Sequence, residues 1–312
     1  MPTGTLSATN RGARLRHVAA AALLLCFAAA RAAPVQIVHD GLRLNGELES
    51  AQTSPGDGKP IFLIVHGTWA YHGMEIIQAL QSVLAENGYP SLAITLSLGV
   101  DDRRAPLRCE APIVARHDAA VPEMAAWLNK LKADGWSDVV LSGHSRGGAQ
   151  VALAQQRLAD PAVRRLLLLA PMVWRAGAVA ADYDTHSTTR LQDVLAEARA
   201  AQDRETGAGD SAPRMGPHPL LYCDTVQAAP QSFLSYYGTS VPKHTPAIVA
   251  ELGIPVDVYL GTEDDLARWS PEERSAATRR AGVTLHDIEG ADHFFRDLYL
   301  YEVVEDFLDR LP

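Results

Sequence analysis

The 312-residue chain is 47% apolar and 21% charged, with a formal net charge of −9. That length and composition can bury a full core, as one large α/β domain or two small ones. The acidic balance repels phosphate backbones, so no nucleic-acid partner is expected.

The first residues read as an export signal. Arg11, Arg14 and Arg16 form a basic stretch, "VAAAALLLCFAAA" (18–30) an apolar one, and Ala30-Arg31-Ala32 an A-x-A cleavage site. The apolar run falls short of the roughly 20 residues that cross a bilayer, so the expectation is a signal peptide over 1–32, no stable membrane span after its removal, and a secreted or periplasmic protein. Leu25 before Cys26 is not the small residue that lipidation favours. Removing the four arginines of residues 1–32 takes the 28 Lys+Arg to 24 against 37 Asp+Glu, and the net charge from −9 to −13. Of three cysteines, Cys109 and Cys223 then remain, an even pair in an oxidising compartment.

"VQIVHDGLRLNGELES" (35–50) alternates like two strands turning at Asp40-Gly41. After a loop at 51–60, "IFLIVHG" (61–67) predicts a buried strand, 74–89 an amphipathic helix ended by Asn87-Gly88, and "SLAITL" (91–96) a further strand. A long polar loop follows, holding Asp101, Asp102, Arg103, Arg104, Arg108 and Cys109. A helix over 118–133, a strand over 138–143, a helix over 146–159 and a strand over 164–170 complete a regular alternation, which predicts a doubly wound, mostly parallel α/β sheet.

The rhythm breaks between about 171 and 242, where no buried strand is legible. A helix-like run (189–202) precedes the Gly/Pro-rich "DRETGAGDSAPRMGPHP" (203–219) and an aromatic-bearing stretch. So long an insertion in a sheet fold is more often functional than idle, and it reads as a helical cap over the C-terminal edge of the sheet. The sheet resumes with strands at 255–261 and 283–290, a helix near 271–281 between them and a final helix over 294–310.

Chemistry concentrates in "VVLSGHSRGGAQVALA" (139–154). Gly143-His144-Ser145-Arg146-Gly147 matches G-x-S-x-G between a strand and a helix, a turn that exposes the serine hydroxyl and aims backbone N–H groups at the same spot. With Asp264 in "GTEDDL" and His293 in "GADHFF", in the order Ser…Asp…His, the chain from about 59 to 311 resembles the α/β-hydrolase superfamily. The resemblance implies that Ser145 is the nucleophile, His293 its base and Asp264 the acid, with Asp265 and Glu263 as neighbours that leave the acid open by one residue. It places the oxyanion donors on the N–H groups of Arg146 and Thr68, with Trp69 in reserve. The bland readings are a serine in a tight turn and a histidine at a helix start; His66 reads as a histidine bracing its loop, and Asp292 as pointing away.

The implied activity is a serine hydrolase cleaving a small-molecule ester through an acyl-enzyme. Peptidase or amidase and acyltransferase chemistry use the same three groups, and a non-catalytic binding module is the third class. Trp69, Trp174 and Tyr222 are candidate pocket residues. Arg103, Arg104 and Arg108 read as a solvated loop paired with Asp101 and Asp102. Cys109 and Cys223 should project from one edge of the sheet and form a disulfide, against the alternative of two buried thiols. No metal-binding or nucleotide-binding spacing is present, so no metal and no cofactor are expected.

Overall fold

The computed structural model describes residues 1, 4, 32–204 and 214–311. Most of the segment expected to be an export signal and the middle of the Gly/Pro-rich stretch fall outside them. The opening hairpin pairs β1 (Ala33–His39) with β2 (Leu42–Glu49). Its turn residues Asp40 and Gly41 both take positive φ, 47° and 79°, as a two-residue hairpin turn requires. Then come β3 (Ile61–Val65), α1 (Glu75–Glu86), β4 (Ser91–Thr95), a short 3-10 turn at His117–Ala119, α2 (Ala120–Ala133), β5 (Val139–His144), α3 (Arg146–Leu158) and β6 (Val163–Leu169).

The inserted segment contains α4 (Ala176–His186), α5 (Leu191–Arg204), β7 (Met215–Leu220), β8 (Cys223–Ala228), α6 (Pro230–Tyr237) and α7 (Thr245–Val249). The chain closes with β9 (Val256–Gly261), α8 (Pro271–Ala277), β10 (Val283–Ile288) and α9 (Tyr299–Leu308).

Eight strands form one sheet in the order β1-β2-β4-β3-β5-β6-β9-β10. The β1–β2 and β2–β4 joins are antiparallel and all later ones parallel, the mostly parallel sheet that the alternation predicts. Period-two alternation explains why it is covered on both faces. Ile61, Leu63 and Val65 pack with Met124, Trp127 and Val151 of α2 and α3, whereas Phe62 and Ile64 pack with Ile77, Leu80, Val303 and Phe307 of α1 and α9. Burial of each such side chain stabilises the fold by roughly 1.5–3 kcal/mol.

This winding opens the site. The helix after β3 lies on one face and the helix after β5 on the other, so the loops leaving these neighbouring strands diverge and leave a crevice at their C-terminal ends. Thr68 follows β3 and Ser145 follows β5.

The structure departs from the sequence reading in three places. The last helix begins at Tyr299 rather than 294, because Phe295 and Asp297 take positive φ (47° and 58°) and turn the chain first. The helix near 271–281 starts where Ser270 and Glu273 form a capping box but stops at Ala277, ahead of Gly282 at φ 107°. Within the insertion, β7 and β8 pair as an antiparallel ribbon. Pro217 and Pro219 conceal β7 from a propensity reading, since proline supplies no ladder donor.

Candidate active site

The turn after β5 places Ser145 at φ 55°, ψ −121°, a conformation that costs a non-glycine residue on the order of 1–3 kcal/mol. Its surroundings impose it. Ser145 donates its N–H to the Leu169 carbonyl at 2.9 Å, and its own carbonyl accepts from Met172 at 3.0 Å. A Cβ on Gly147 would overlap the carbonyl oxygens of Val65 and His66, so only glycine lets α3 approach the end of β3 this closely.

His293 sits in the loop after β10. Its Nε2 lies 2.9 Å from Ser145 Oγ and its Nδ1 2.8 Å from Asp264 Oδ2. With Nδ1–H donated to the carboxylate, Nε2 is the acceptor for the serine proton. The other oxygen of Asp264 accepts the N–H groups of Leu266 (2.7 Å) and Ala267 (3.0 Å). Burial works to raise the Asp264 pKa, but the hydrogen bond from His293 and those two N–H groups outweigh it and hold the carboxyl below the usual range. Asp265 is 85% exposed and pairs with Arg268 at 2.7 Å, so the structure brings Asp264, not its neighbour, to the imidazole. Glu263 and Asp292 also lie apart: Asp292 accepts the Phe294 N–H at 2.9 Å and pairs with Arg296.

The backbone that carries His293 is itself held. The loops after β9 and β10 touch where Gly261 meets the Ala291 carbonyl, a contact that any Cβ would obstruct. His144, the residue before the serine, donates Nε2–H to the His293 carbonyl at 2.9 Å. Burial, together with the adjacent His293, pushes the His144 pKa down to about 3, so His144 is neutral near pH 7. This role is invisible in the sequence, where the position is the unspecified second residue of the motif.

As the first residue of α3, Arg146 has a backbone N–H with no intrahelical acceptor. Thr68 lies beside it, its Oγ1 accepting Arg146 Nε–H at 3.1 Å. Trp69 is not at the pocket surface. It is 1% exposed at φ 50°, donates its indole N–H to the Tyr236 hydroxyl at 3.0 Å, and packs edge-on against Tyr222 and Tyr236. A tryptophan next to a catalytic-type loop reads as a pocket residue in sequence, but here it supports the wall from beneath.

His66 braces its loop as expected. It donates Nδ1–H to the Gly67 carbonyl (2.8 Å), while Nε2 accepts from the Leu96 N–H and Arg103 Nη2, both at 3.1 Å. Burial and the Arg103 charge lower its pKa to about 3. The solvated-loop reading therefore fails for Arg103, which is 6% exposed and also donates to the Leu96 and Ala105 carbonyls. Arg104 does pair with Asp102 (2.9 Å), whereas Arg108 pairs with Glu110 (3.3 Å) and Asp101 with Arg43 (2.7 Å).

Cys109 and Cys223 are disulfide-bonded, with Cα atoms 5.6 Å apart, tying the loop after β4 to β8. A cavity of about 680 Å³ opens beneath the insertion, lined by Arg146, the residue after Ser145, and by Met172, Trp174, Tyr183, Tyr222 and Tyr237 among others. Two of the three pocket candidates, Trp174 and Tyr222, belong to it. Among the described residues no three His, Cys, Asp or Glu side chains gather as a metal site, and no helix is long and apolar enough to cross a membrane.

A doubly wound sheet with a serine on a strained strand-to-helix turn, backed by histidine and aspartate from later strand ends, defines the α/β-hydrolase architecture. The model of the alpha/beta hydrolase family matches residues 62–306, and the chain belongs to that family of hydrolases. Solved structures similar to it include Est1E from Butyrivibrio proteoclasticus (19% identity, 88% of this chain and 98% of that one, TM-score 0.58). Others are DcsB in complex with its substrate analogue (15%, 89% and 97%, 0.65) and an alpha-beta serine hydrolase homologue from Coxiella burnetii (15%, 90% and 97%, 0.52). At these identities the likeness is one of fold. No curated protein matches the sequence.

Proposed function

We propose that the protein is an exported serine hydrolase that cleaves a small-molecule carboxylic ester through an acyl-enzyme on Ser145. The observation that carries this reading is the unbroken relay of Ser145 Oγ to His293 Nε2 at 2.9 Å and His293 Nδ1 to Asp264 Oδ2 at 2.8 Å. A serine hydroxyl is a poor nucleophile until a base takes its proton as the new bond forms. His293 accepts that proton during attack on the ester carbonyl and returns it to the departing alcohol; in the second half it activates water, which releases the acid. Asp264 fixes the tautomer and stabilises the transient imidazolium. The N–H groups of Arg146 and Thr68 stabilise the tetrahedral oxyanion.

Export rests on the basic, apolar and A-x-A segments of residues 1–32, and a disulfide suits an oxidising compartment. The test is turnover of a panel of 4-nitrophenyl esters graded by acyl length, with product analysis in the presence of added alcohol or amine. Free acid as the main product supports hydrolysis. Transfer to the alcohol reassigns the protein as an acyltransferase, and no turnover of any ester removes the reading.

A further inference from the structure

Resting on the esterase reading above, we propose that the side chain of Arg146 is the anion-binding element of the cavity beneath the insertion, and that the substrate is an ester carrying a carboxylate.

Three cationic side chains are buried among the described residues: Arg103, Arg146 and Lys243. Two are saturated. Arg103 donates to the Leu96 and Ala105 carbonyls and to His66, and Lys243 donates to the Gly238 and Val241 carbonyls at 2.6 and 3.0 Å. Arg146, 7% exposed, has a single hydrogen bond, from Nε to Thr68 Oγ1. Its guanidinium lies over the Tyr236 ring, 5.1 Å from the centroid, and Nη1 is buried with no partner. No carboxylate of the described residues forms an ion pair with it.

Such a group is costly, because removing a charge from water without a counter-ion is one of the larger penalties available to a fold. Its position adds to the cost. Arg146 is the first residue of α3, at the end of the helix dipole that disfavours a cation. Lys243 is close enough that the Arg146 charge contributes, after burial, to lowering the lysine to about 8. The buried imidazole of His117 is likewise depressed, first by burial and then by Arg146. The resting site is therefore a desolvated patch of positive potential that lacks an anion.

Arg146 forms part of the cavity wall. With Nε anchored on Thr68 and Nη1 sealed from solvent, Nη2 is the guanidinium nitrogen left to meet an oxyanion, and a charge-assisted hydrogen bond to a carboxylate is the strong kind. The acidic residues of the same cavity, Asp182, Asp224 and Asp265, are exposed at its rim. Asp265 is paired with Arg268 and Asp182 lies 3.6 Å from His186. Solvent screens them more than it screens the buried guanidinium. Because Arg146 directly follows the nucleophile, an anion held there fixes the ester relative to Ser145 Oγ.

The test compares esters matched except for charge. One pair is mono-4-nitrophenyl adipate against 4-nitrophenyl hexanoate, with the carboxylate on the acyl side; the other is 4-carboxyphenyl acetate against its methyl ester, with the carboxylate on the leaving group. The expected result is at least a tenfold higher kcat/KM for the anionic member of one pair. Arg146→Gln should bring that ratio within threefold of unity, and Arg146→Lys should retain part of it. A wild-type ratio near unity in both pairs, or a preference that survives in Arg146→Gln, overturns the proposal while leaving the hydrolase reading intact. Calorimetry with the uncleaved adipate monoester provides a readout free of catalysis. Ser145→Ala should bind it and the Ser145→Ala, Arg146→Gln double variant should bind at least tenfold more weakly; equal affinities contradict the assignment. If the wild type cleaves none of the four esters but the binding difference appears, the anion subsite stands and the esterase reading falls.

Discussion

Every residue of β3, β4, β5 and β9 is buried, whereas Tyr183 is the one buried residue of α4, the first helix of the insertion. The strands lock the loops that carry Thr68, Ser145, Asp264 and His293, and the insertion supplies Trp174, Tyr183, Tyr222 and Tyr237 to the cavity wall. On the proposed mechanism, bond making rests on the loops of the buried strands and substrate shape on the insertion. Damage to the first should appear in kcat or in folding, and damage to the second in KM and specificity.

The sharpest way to break this division is at the carboxylate behind the imidazole. Asp264→Asn should lower kcat by on the order of 10⁴-fold, because the amide no longer holds the acceptor tautomer at Nε2. Asp265→Asn, one residue on but in solvent, should stay within twofold. Steady-state kinetics of both variants decides, and the reverse pattern moves the acid by one residue.

Acid should attack the scaffold next. His66 and His144 have pKa values lowered to about 3, and His117 is lowered well below its ordinary value, by burial first in each case. The unfolded chain binds these protons below about pH 6.5 and the folded chain does not, so stability is complete above that pH and declines as pH falls toward 3. Each group contributes up to about 1.4 kcal/mol per pH unit in that window. Urea unfolding at pH 7.5, 6 and 5 should show the midpoint falling, and a flat profile contradicts buried neutral histidines.

The disulfide spans 114 residues and joins the two regions. Replacing Cys109 and Cys223 together by serine should cost up to about 4–5 kcal/mol of stability in the chain-entropy model. Denaturant titration measures this, and esters of increasing bulk should show KM changing more than kcat. An unchanged KM would mean that the insertion does not shape the pocket.

The smallest effects come from two glycines. Gly147→Ala places a methyl group against the Val65 and His66 carbonyls and should cost about 1–3 kcal/mol. Gly177, in α4, has open space where a Cβ would stand, with nothing within 4 Å, and Gly177→Ala should gain roughly 0.5–1 kcal/mol from helix propensity. Thermal melts of the two variants should move in opposite directions.

The same division governs what the sequence made legible. Strands buried on both faces read as unbroken apolar runs, and "GHSRGG" marks a turn that few other residues tolerate, so the sheet and the serine were visible in one dimension. The insertion was opaque: β7 hides behind Pro217 and Pro219, and α4 buries too little to show a periodic face. At the site, the choice among three consecutive acids depends on the turn after β9, which no composition reveals. Trp69 and Arg103 were misread for a shared reason. Both occupy loops, where polar or aromatic residues suggest solvent or substrate, yet both are driven inward by partners distant in sequence, Tyr236 for one and His66 for the other. His144 and the unpaired edge of Arg146 required three-dimensional neighbours to acquire meaning.

The central claim, that Ser145 is activated by His293, is tested most directly by covalent labelling. A fluorophosphonate probe followed by peptide mapping of the folded protein should place a single adduct on Ser145. His293→Ala should slow labelling by at least 100-fold while circular dichroism remains that of the wild type. An adduct on another residue, or a labelling rate indifferent to His293, would contradict the account.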